Sequence, residues 1–419
     1  MKEVTAVLVG AGLRGMDSYA PYALKNPDEL KFVAVAEPNP VRRKKFSMLH
    51  AIPPEFCYSN WEDLFNQPRL ADAALICTQD RLHYEPAIKA LENGYHLLLE
   101  KPMAVDPLEC IKIGEAARKY RRILSICYVL RYTAFFSTLK KMILEGQIGS
   151  LISIQHNENV GFWHQAHSFV RGSWRNSDES SPMILQKSSH DMDILLWLTE
   201  CSPVRISSFG SLSHFKSDNA PKDAPERCTD GCPEEKNCPY YAPKIYLTEN
   251  TDWPTSAISS DSSYESRLMA LKTGPYGRCV YRCDNNVVDH QVVVIEFEEG
   301  ITAAFTMCAF TNEISRTIKL MGTKGQIRGT MEKNEIEVIN FATGQKKVIK
   351  PKRNSSGHSG GDEGLMKDFV KLIRDNRVEQ GIKQGEIAVM SHIMAMAAEK
   401  SRLEKKVIEI GDYIKEFQL

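Results

Sequence analysis

The chain has 419 residues, with 53 Lys plus Arg against 53 Asp plus Glu, and 42% of its residues are hydrophobic. That length suits two or three domains, and a formal charge of zero supplies no global field for nucleic acid or an anionic membrane. No apolar run approaches the roughly 18–20 residues that span a bilayer. The N-terminal "MKEVTAVLVG" has too short an apolar stretch for a secretory leader, so a cytoplasmic protein is expected. Its eleven cysteines then read as thiols or metal ligands ahead of disulfides.

The first apolar run, "TAVLVG", ends in a glycine and opens "GAGLRG", so Gly10, Gly12 and Gly15 form G-x-G-x-x-G around Leu13 and Arg14. The first glycine permits a tight turn, the second lets backbone approach a pyrophosphate, and the third lets a helix pack closely on the strand. The next run, "FVAVAE", ends in Glu37, a carboxylate placed to accept both ribose hydroxyls of adenosine. It would repel a 2′-phosphate, which favours NAD over NADP. Arg42, Arg43, Lys44 and Lys45 follow and blunt that preference, unless they form a solvated helix face, the reading preferred here.

The alternation continues with a strand over 71–79, a helix over 84–94, a strand "YHLLLEKP", a helix from Asp106 to about Tyr120, and a strand over 122–130. Asp106, Pro107 and Glu109 supply the cap, the first-turn proline and the capping box of that helix. Strands alternating with helices predict a doubly wound parallel sheet, whose ligands lie beyond the carboxyl ends of the strands. Thr78, Gln79, Glu100, Lys101 and Pro102 all fall at such ends.

From about residue 128 the period changes. "SLISIQHNE" (150–158), "PVRISSFGSL" (203–212), a hairpin over 292–310 about Glu299-Gly300, a second over 316–331 about Gly322–Gly325, and "NEIEVIN" (334–340) alternate apolar and polar residues. That predicts a large, mostly antiparallel sheet. Segment 156–175 is dense in polar and aromatic groups: His156, Glu158, His164, His167, Arg171, Trp174 and Arg175. Arginine with aromatics suits sugar hydroxyls or a carboxylate. His164 and His167 have a metal-compatible spacing but are read here as hydrogen-bonding residues. "SSHDMDILLWLT" predicts a helix capped by Ser188 or Ser189, with His190 in its first turn, where the dipole keeps an imidazole neutral.

Residues 213–285 interrupt the sheet pattern with "RCTDGCPEEKNCPYY" and "GRCVYRC". Cys228, Cys232, Cys238, Cys279 and Cys283 gather five of the eleven cysteines in one loop-rich insertion. A structural zinc is the first reading; free thiols and a disulfide are the others. His358, in "SGHSGGD", sits in a glycine-rich loop able to close over a site, and 364–376 and 385–406 predict helices belonging to the second domain.

These segments together resemble the Gfo/Idh/MocA oxidoreductases, the family of glucose-fructose oxidoreductase and inositol dehydrogenase. The resemblance rests on "VGAGLRG", "CTQDRLHYEPAIKALENGYHLLLEKPMA", "LRYTAFFSTLKKMILEGQIGSLISIQ", "HDMDILLWLT", "IKLMGTKGQIRG" and "GHSGGDEGLMKDF". It implies a Rossmann domain over 1–127, and a substrate-binding and oligomerisation domain over 128–419 whose sheet makes a homodimer or homotetramer. It also implies that His83 and the Glu100-Lys101-Pro102 tripeptide, Arg131, Trp174 and Arg175 attend the cofactor, that Lys101 and His190 are catalytic, and that Asp193 lies at the substrate.

The chemistry of Lys101 agrees: a desolvated amine beside a nicotinamide can take an alcohol proton, or as an ammonium steady the developing oxyanion. There is one departure. The family usually has an aspartate four residues before the histidine; here Gln186 stands there, followed by Lys187. An amide neither takes up nor releases a proton near neutral pH. Either Lys187 joins the site, or the proton route differs. The expected activity is hydride transfer between a secondary hydroxyl of a sugar, polyol or sugar derivative and NAD. A redox-neutral, NAD-using glycosidase and a non-catalytic dinucleotide sensor are the alternatives.

Overall fold

The computed structural model describes residues 3–259, 261–352 and 357–417. Six strands, β1 (Val4–Val9), β2 (Leu30–Ala36), β3 (Cys57–Tyr58), β4 (Ala73–Ile76), β5 (His96–Leu99) and β6 (Leu124–Ile126), form a parallel sheet in the order β3-β2-β1-β4-β5-β6. Helices cover both faces, so β4, β5 and β6 are buried throughout. This is why they read as continuous apolar runs.

The apolar runs are longer than the strands they contain. Cys127–Leu130 are buried, but the chain has left the ladder and turns through Val129–Tyr132. Apolarity there reports burial, not pairing. The helix expected after the glycine turn is also broken up. Leu13–Tyr19 is a wide turn in which Ala20 N donates to Gly15 O, five residues back, at 3.0 Å. Pro21, with no N–H to continue it, starts a separate short helix, Pro21–Lys25.

The second sheet has nine strands: β7 (Leu151–Asn159), β8 (Pro203–Ser211), β9 (His290–Phe297), β10 (Thr302–Cys308), β11 (Ser315–Gly322), β12 (Gly325–Thr330), β13 (Glu335–Asn340), β14 (Lys346–Ile349) and β15 (Ile408–Glu409). Their order is β14-β13-β12-β11-β7-β10-β9-β8-β15. Both expected hairpins form; Glu299 and Gly300 turn the first with φ of 61° and 74°. The sheet is mixed, since β7 pairs parallel to β10 and antiparallel to β11. The edge strands β14 and β15 were not foreseen. Lys346, Lys347 and Val348 are exposed and show no alternation of apolar residues.

One contiguous apolar core runs from Val7, Ala74 and Leu97 of the first sheet, through Met394 and Ala397, to Phe305 and Ile318 of the second. The middle layer is a 27-residue helix, Val378–Glu404. The preceding helix, Gly361–Arg374, follows the second sheet in the chain but packs Leu365, Met366 and Phe369 against Val4, Leu8 and Phe32 of the first. Among the described residues no helix is long and apolar enough to cross a membrane.

Sequence periodicity starts the long helix at 385, whereas it begins at Val378. The delay traces to Gly381 and Gly385, poor helix formers. A Cβ on Gly381 would stand 2.7 Å from the Ile123 side chain, and one on Gly385 2.9 Å from Leu124. These glycines let the helix lie flush on β6. Propensity alone favours alanine at each by about 1 kcal/mol; overpacking costs ~1–3 kcal/mol. Gly385→Ala is therefore expected to lower the urea midpoint at unchanged m-value.

Candidate active site

The turn after β1 fits a dinucleotide phosphate. Gly10 has φ +90°, and a Cβ there would meet Cys77 O at 2.6 Å; one on Gly15 would stand 2.3 Å from Gly10 O. On Gly12 a Cβ would meet only the Arg42 guanidinium, at 3.8 Å, so this face of the backbone is open to a ligand. Leu13 is exposed beside it. Glu37 is buried at the tip of β2; its Oε2 accepts from Ala11 N at 2.7 Å and its Oε1 from Asn39 N at 2.9 Å. Arg42 pairs with Glu37 at 3.3 Å, and Arg43 donates to the Glu37 carbonyl. The solvated-face reading thus fits Lys44, Lys45 and Arg42, all exposed, although Arg42 also reaches the Glu37 carboxylate; Arg43 is partly buried against the Glu37 carbonyl.

At the end of β5 the Lys101–Pro102 peptide is cis. Three groups fix this turn. Glu100 Oε1 accepts from Arg14 Nε at 2.6 Å and from Tyr19 OH at 2.5 Å, while its Oε2 accepts from the Lys101 amide at 2.7 Å. Arg14 also reaches Asp362, at 2.9 Å. His83 contacts Pro102 O through Nδ1 at 2.6 Å and Thr78 O through Nε2 at 3.0 Å, tying together the loops after β4 and β5. Burial pushes the Glu100 carboxyl up, but the charges of Arg14 and Lys101 outweigh it, and the group lies below its usual range. Gln79 is exposed at the mouth, and Thr78 Oγ1 donates to Leu82 O.

The Lys101 Nζ donates to both oxygens of Gln186, the carbonyl at 2.8 Å and Oε1 at 2.9 Å. The residue that departs from the family pattern is therefore the one holding the amine. Behind it lies a carboxylate that sequence reasoning missed: buried Asp80 accepts from Gln186 Nε2 at 3.4 Å and from Ser181 Oγ at 3.0 Å. Its signal was its place directly after Thr78-Gln79. Burial, with a contribution from Lys187, lowers the Lys101 ammonium below its usual 10.5; the charges of Glu100 and Asp80 only partly oppose this.

His190 lies in the first turn of the helix Ser189–Thr199; Ser188 occupies the cap position, but its hydroxyl accepts no capping bond. The His190 ring stands edge-on to Tyr128 at 5.7 Å. Tyr128 OH lies 2.9 Å from Nδ1 of the buried His392, whose Nε2 accepts from Met103 N at 2.9 Å. Burial lowers His392 to about 4, so it is neutral. One network thus braces both His190 and the turn that carries Lys101. Arg131 donates to Asp193 in a forked pair, Nε to Oδ2 and Nη2 to Oδ1, with Ser391 adding a bond at 3.2 Å. They fasten the His190 helix to the turn after β6.

The second sheet contributes a buried ionic cluster. His156 Nε2 lies 2.7 Å from Asp191 Oδ1. Arg316 Nε donates to the same carboxylate at 2.7 Å, and its Nη2 lies 2.7 Å from Glu158. Lys187 pairs with Glu158 at 3.2 Å. Lys187 does join the surroundings of Lys101, as a paired cation. Asp191 and Arg316 were missed, because each looks like an ordinary polar residue in an amphipathic element. His164 is held well below its usual value by burial and then by Lys187. It stands edge-on to Trp253 at 5.1 Å, with Trp163 5.3 Å from the same indole.

The other residues singled out are placed as follows. His167 bonds Tyr246 OH at 2.8 Å and stacks on Tyr276, both in the insertion. Trp174 is partly exposed and stacks on Phe169. Arg175 grips Asp284 at 2.8 and 2.9 Å. His358 lies in the turn Gly357–Gly360, and its side chain is outside the described residues. All eleven cysteines are free thiols, which removes the disulfide reading. Among the described residues no group of three or more His, Cys, Asp or Glu stands ready to hold a metal ion. Four of the five insertion cysteines, Cys228, Cys232, Cys238 and Cys279, line one hollow; Cys283 instead donates to Cys279 O at 3.3 Å.

The ionic cluster has a measurable signature. Burial raises Asp191, but Arg316 and His156 more than reverse this, leaving it at about 2 against 3.8. A depressed carboxylate contributes stability that is complete above its unfolded pKa and is lost as pH falls through the folded one. Stability is thus expected to drop between about pH 4 and pH 2, and less steeply in Asp191→Asn. Arg316→Met removes the cation shared by two buried carboxylates, leaving Asp191 only His156 and Glu158 only Lys187, and is expected to cost about 3–5 kcal/mol by urea unfolding.

The fold and both halves of the chain have known relatives. The sequence profile of the oxidoreductase family's NAD-binding Rossmann fold matches residues 4–128, and that of its C-terminal alpha/beta domain matches 140–410. YteT of Bacillus subtilis (strain 168) is 24% identical over 389 residues, 87% of this chain and 88% of that one. Inositol 2-dehydrogenase/D-chiro-inositol 3-dehydrogenase of Lactiplantibacillus plantarum is 28% identical over 154 residues, 36% of this chain and 40% of that one. Levoglucosan dehydrogenase, solved with NADH and levoglucosan, superposes with a TM-score of 0.70 over 97% of this chain and 99% of that one, at 18% identity. The aldose-aldose oxidoreductase of Caulobacter crescentus gives 0.68 over 97% and 99%, at 16% identity. With both of its domains matched across most of its length, the chain belongs to the Gfo/Idh/MocA family of NAD-binding oxidoreductases.

Proposed function

We propose that the protein is an NAD-dependent dehydrogenase acting on a secondary hydroxyl of a neutral carbohydrate. The carrying observation is the half-buried Lys101 amine, held by two Gln186 oxygens at the carboxyl end of β5 and lowered in pKa by desolvation. Nicotinamide, when bound, supplies the hydride acceptor. Gly10, Gly12 and Gly15 would hold its pyrophosphate and Glu37 its ribose. Lys101 takes the hydroxyl proton at Nζ. Gln186 fixes the direction of the amine but holds no proton itself. Asp80, behind the amide, favours the ammonium that forms. Partly exposed His190 passes that proton to solvent.

Substrate neutrality follows from pairing. Lys187 and Arg316 have Glu158 and Asp191, and Lys101 has Asp80 within its field. No cation of this set is left over for a substrate carboxylate. Trp253 and Trp163, beside His164, offer faces on which the apolar side of a sugar ring can stack. The relatives named for inositol and levoglucosan act on or bind neutral polyols and sugars, which agrees. The eleven free thiols accord with a reducing compartment such as the cytoplasm. Phe209 and Val292, register partners on β8 and β9, are exposed together with Val294 and Ile152, and this face of the second sheet is the proposed contact between copies.

Lys101→Ala is expected to lower kcat/KM by at least about 10²-fold, with NAD affinity retained. The oxidation rate is expected to rise with pH and level off through a pKa below 10.5. With substrate deuterated at the reacting carbon, the label should appear in NADH. Release of an aglycone with no net NADH would instead establish the redox-neutral glycosidase.

A further inference from the structure

The insertion contains a charged feature that the active site does not use. Arg171 is fully buried. Its Nε donates to Arg278 O at 2.7 Å and its Nη2 to Tyr240 O at 2.7 Å, with Cys228 Sγ 3.5 Å from the same nitrogen. Nη1 makes no hydrogen bond. Among the described residues no carboxylate pairs with this guanidinium. A buried cation without a counter-charge carries a large desolvation penalty.

The guanidinium borders a narrow hollow of about 10 Å³, also lined by Cys228, Cys232, Cys238, Cys279 and a second arginine, Arg227. Arg227 donates to Leu271 O and Gly274 O and likewise has no carboxylate partner among the described residues. Glu234 lies at the same hollow, partly exposed. An antiparallel bridge between Arg227 and Arg278, with Cys228 N bonded to Gly277 O at 2.9 Å and Cys279 N to Glu226 O at 2.8 Å, brings two of the cysteines side by side. Cys238 is set by a turn of its own, its amide bonded to Glu234 O at 2.9 Å. All four cysteines line this one space, although no three of them are gathered to metal-binding distance in this structure.

We propose that Cys228, Cys232, Cys238 and Cys279 bind one divalent zinc ion, whose thiolate shell is the missing counter-charge of Arg171 and Arg227. Four thiolates around a dication carry a net charge of about −2, which two arginines balance. The hollow holds about one water-sized body, which suits a single ion and not a multi-iron cluster. Binding releases the thiol protons and draws the sulfurs to about 2.3 Å from the metal. The site is structural: it pins the insertion, and with it Trp253, against the rest of the domain. Cys283, turned to Cys279 O, is not a ligand.

The test is elemental analysis of the full-length protein purified without chelator, with zinc release followed during titration by an organomercurial. About one zinc per chain is expected, released by thiol modification. Each of Cys228→Ser, Cys232→Ser, Cys238→Ser and Cys279→Ser should abolish it, while Cys283→Ser retains it. Should the serine variants misfold, zinc added to chelator-stripped wild type is expected to bind at one equivalent and raise the melting temperature. Iron with labile sulfide in the purified protein, equal zinc loss in Cys283→Ser, or a stripped wild type that takes up no zinc would each overturn the proposal.

Discussion

A primary amine partly withdrawn from water and held by one side chain governs the site. Lys101 is half-buried at the end of a parallel strand, where desolvation disfavours its charge, yet both oxygens of Gln186 accept from it. Everything around it serves to keep that arrangement. The Glu100–Arg14–Tyr19 bonds anchor the residue before it, His83 holds the proline after it, and His392 takes the next amide. The backbone that carries the amine is therefore fixed on both sides.

The two domains meet in this arrangement. Lys101 follows a strand of the first sheet and Gln186 lies in the segment that leads into the His190 helix, so one pair of hydrogen bonds joins the NAD-binding Rossmann domain to the C-terminal domain. The Arg131–Asp193 pair is a second tie, and the common apolar core a third. On the far side, Glu158 and Asp191 face Lys187 and Arg316, two carboxylates against two cations, so the second sheet's inner wall carries a fixed electrostatic pattern in which these charges balance. Gln186 orients the amine with a group that does not titrate, and the carboxylate bonded behind it is Asp80.

Much of this was legible in the sequence. Glycine spacing, the Glu37 strand tip and the Glu100-Lys101-Pro102 tripeptide each carry a local physical reason, so they located the cofactor half correctly. The period-two runs from β7 to β13 located the second sheet. What stayed hidden depends on contacts between distant segments. Asp80, Asp191 and Arg316 acquire meaning only when β4, the His190 helix and β11 are packed together. Arg131 and Asp193, read separately as cofactor and substrate residues, turn out to be partners. The wide turn at Leu13–Tyr19 and the early start of the long helix were missed because propensity gave way to close packing of glycines. β14 and β15 lack the alternation that pattern reading requires.

The titration of Lys101 tests this arrangement most directly. Lysine side-chain nitrogens can be followed by NMR in the protein labelled at lysine Nζ, with the Lys101 signal assigned by its loss in Lys101→Arg. The account predicts that this nitrogen deprotonates below 10.5 while exposed lysines titrate at their ordinary value. A Lys101 signal that titrates with the exposed lysines would contradict it.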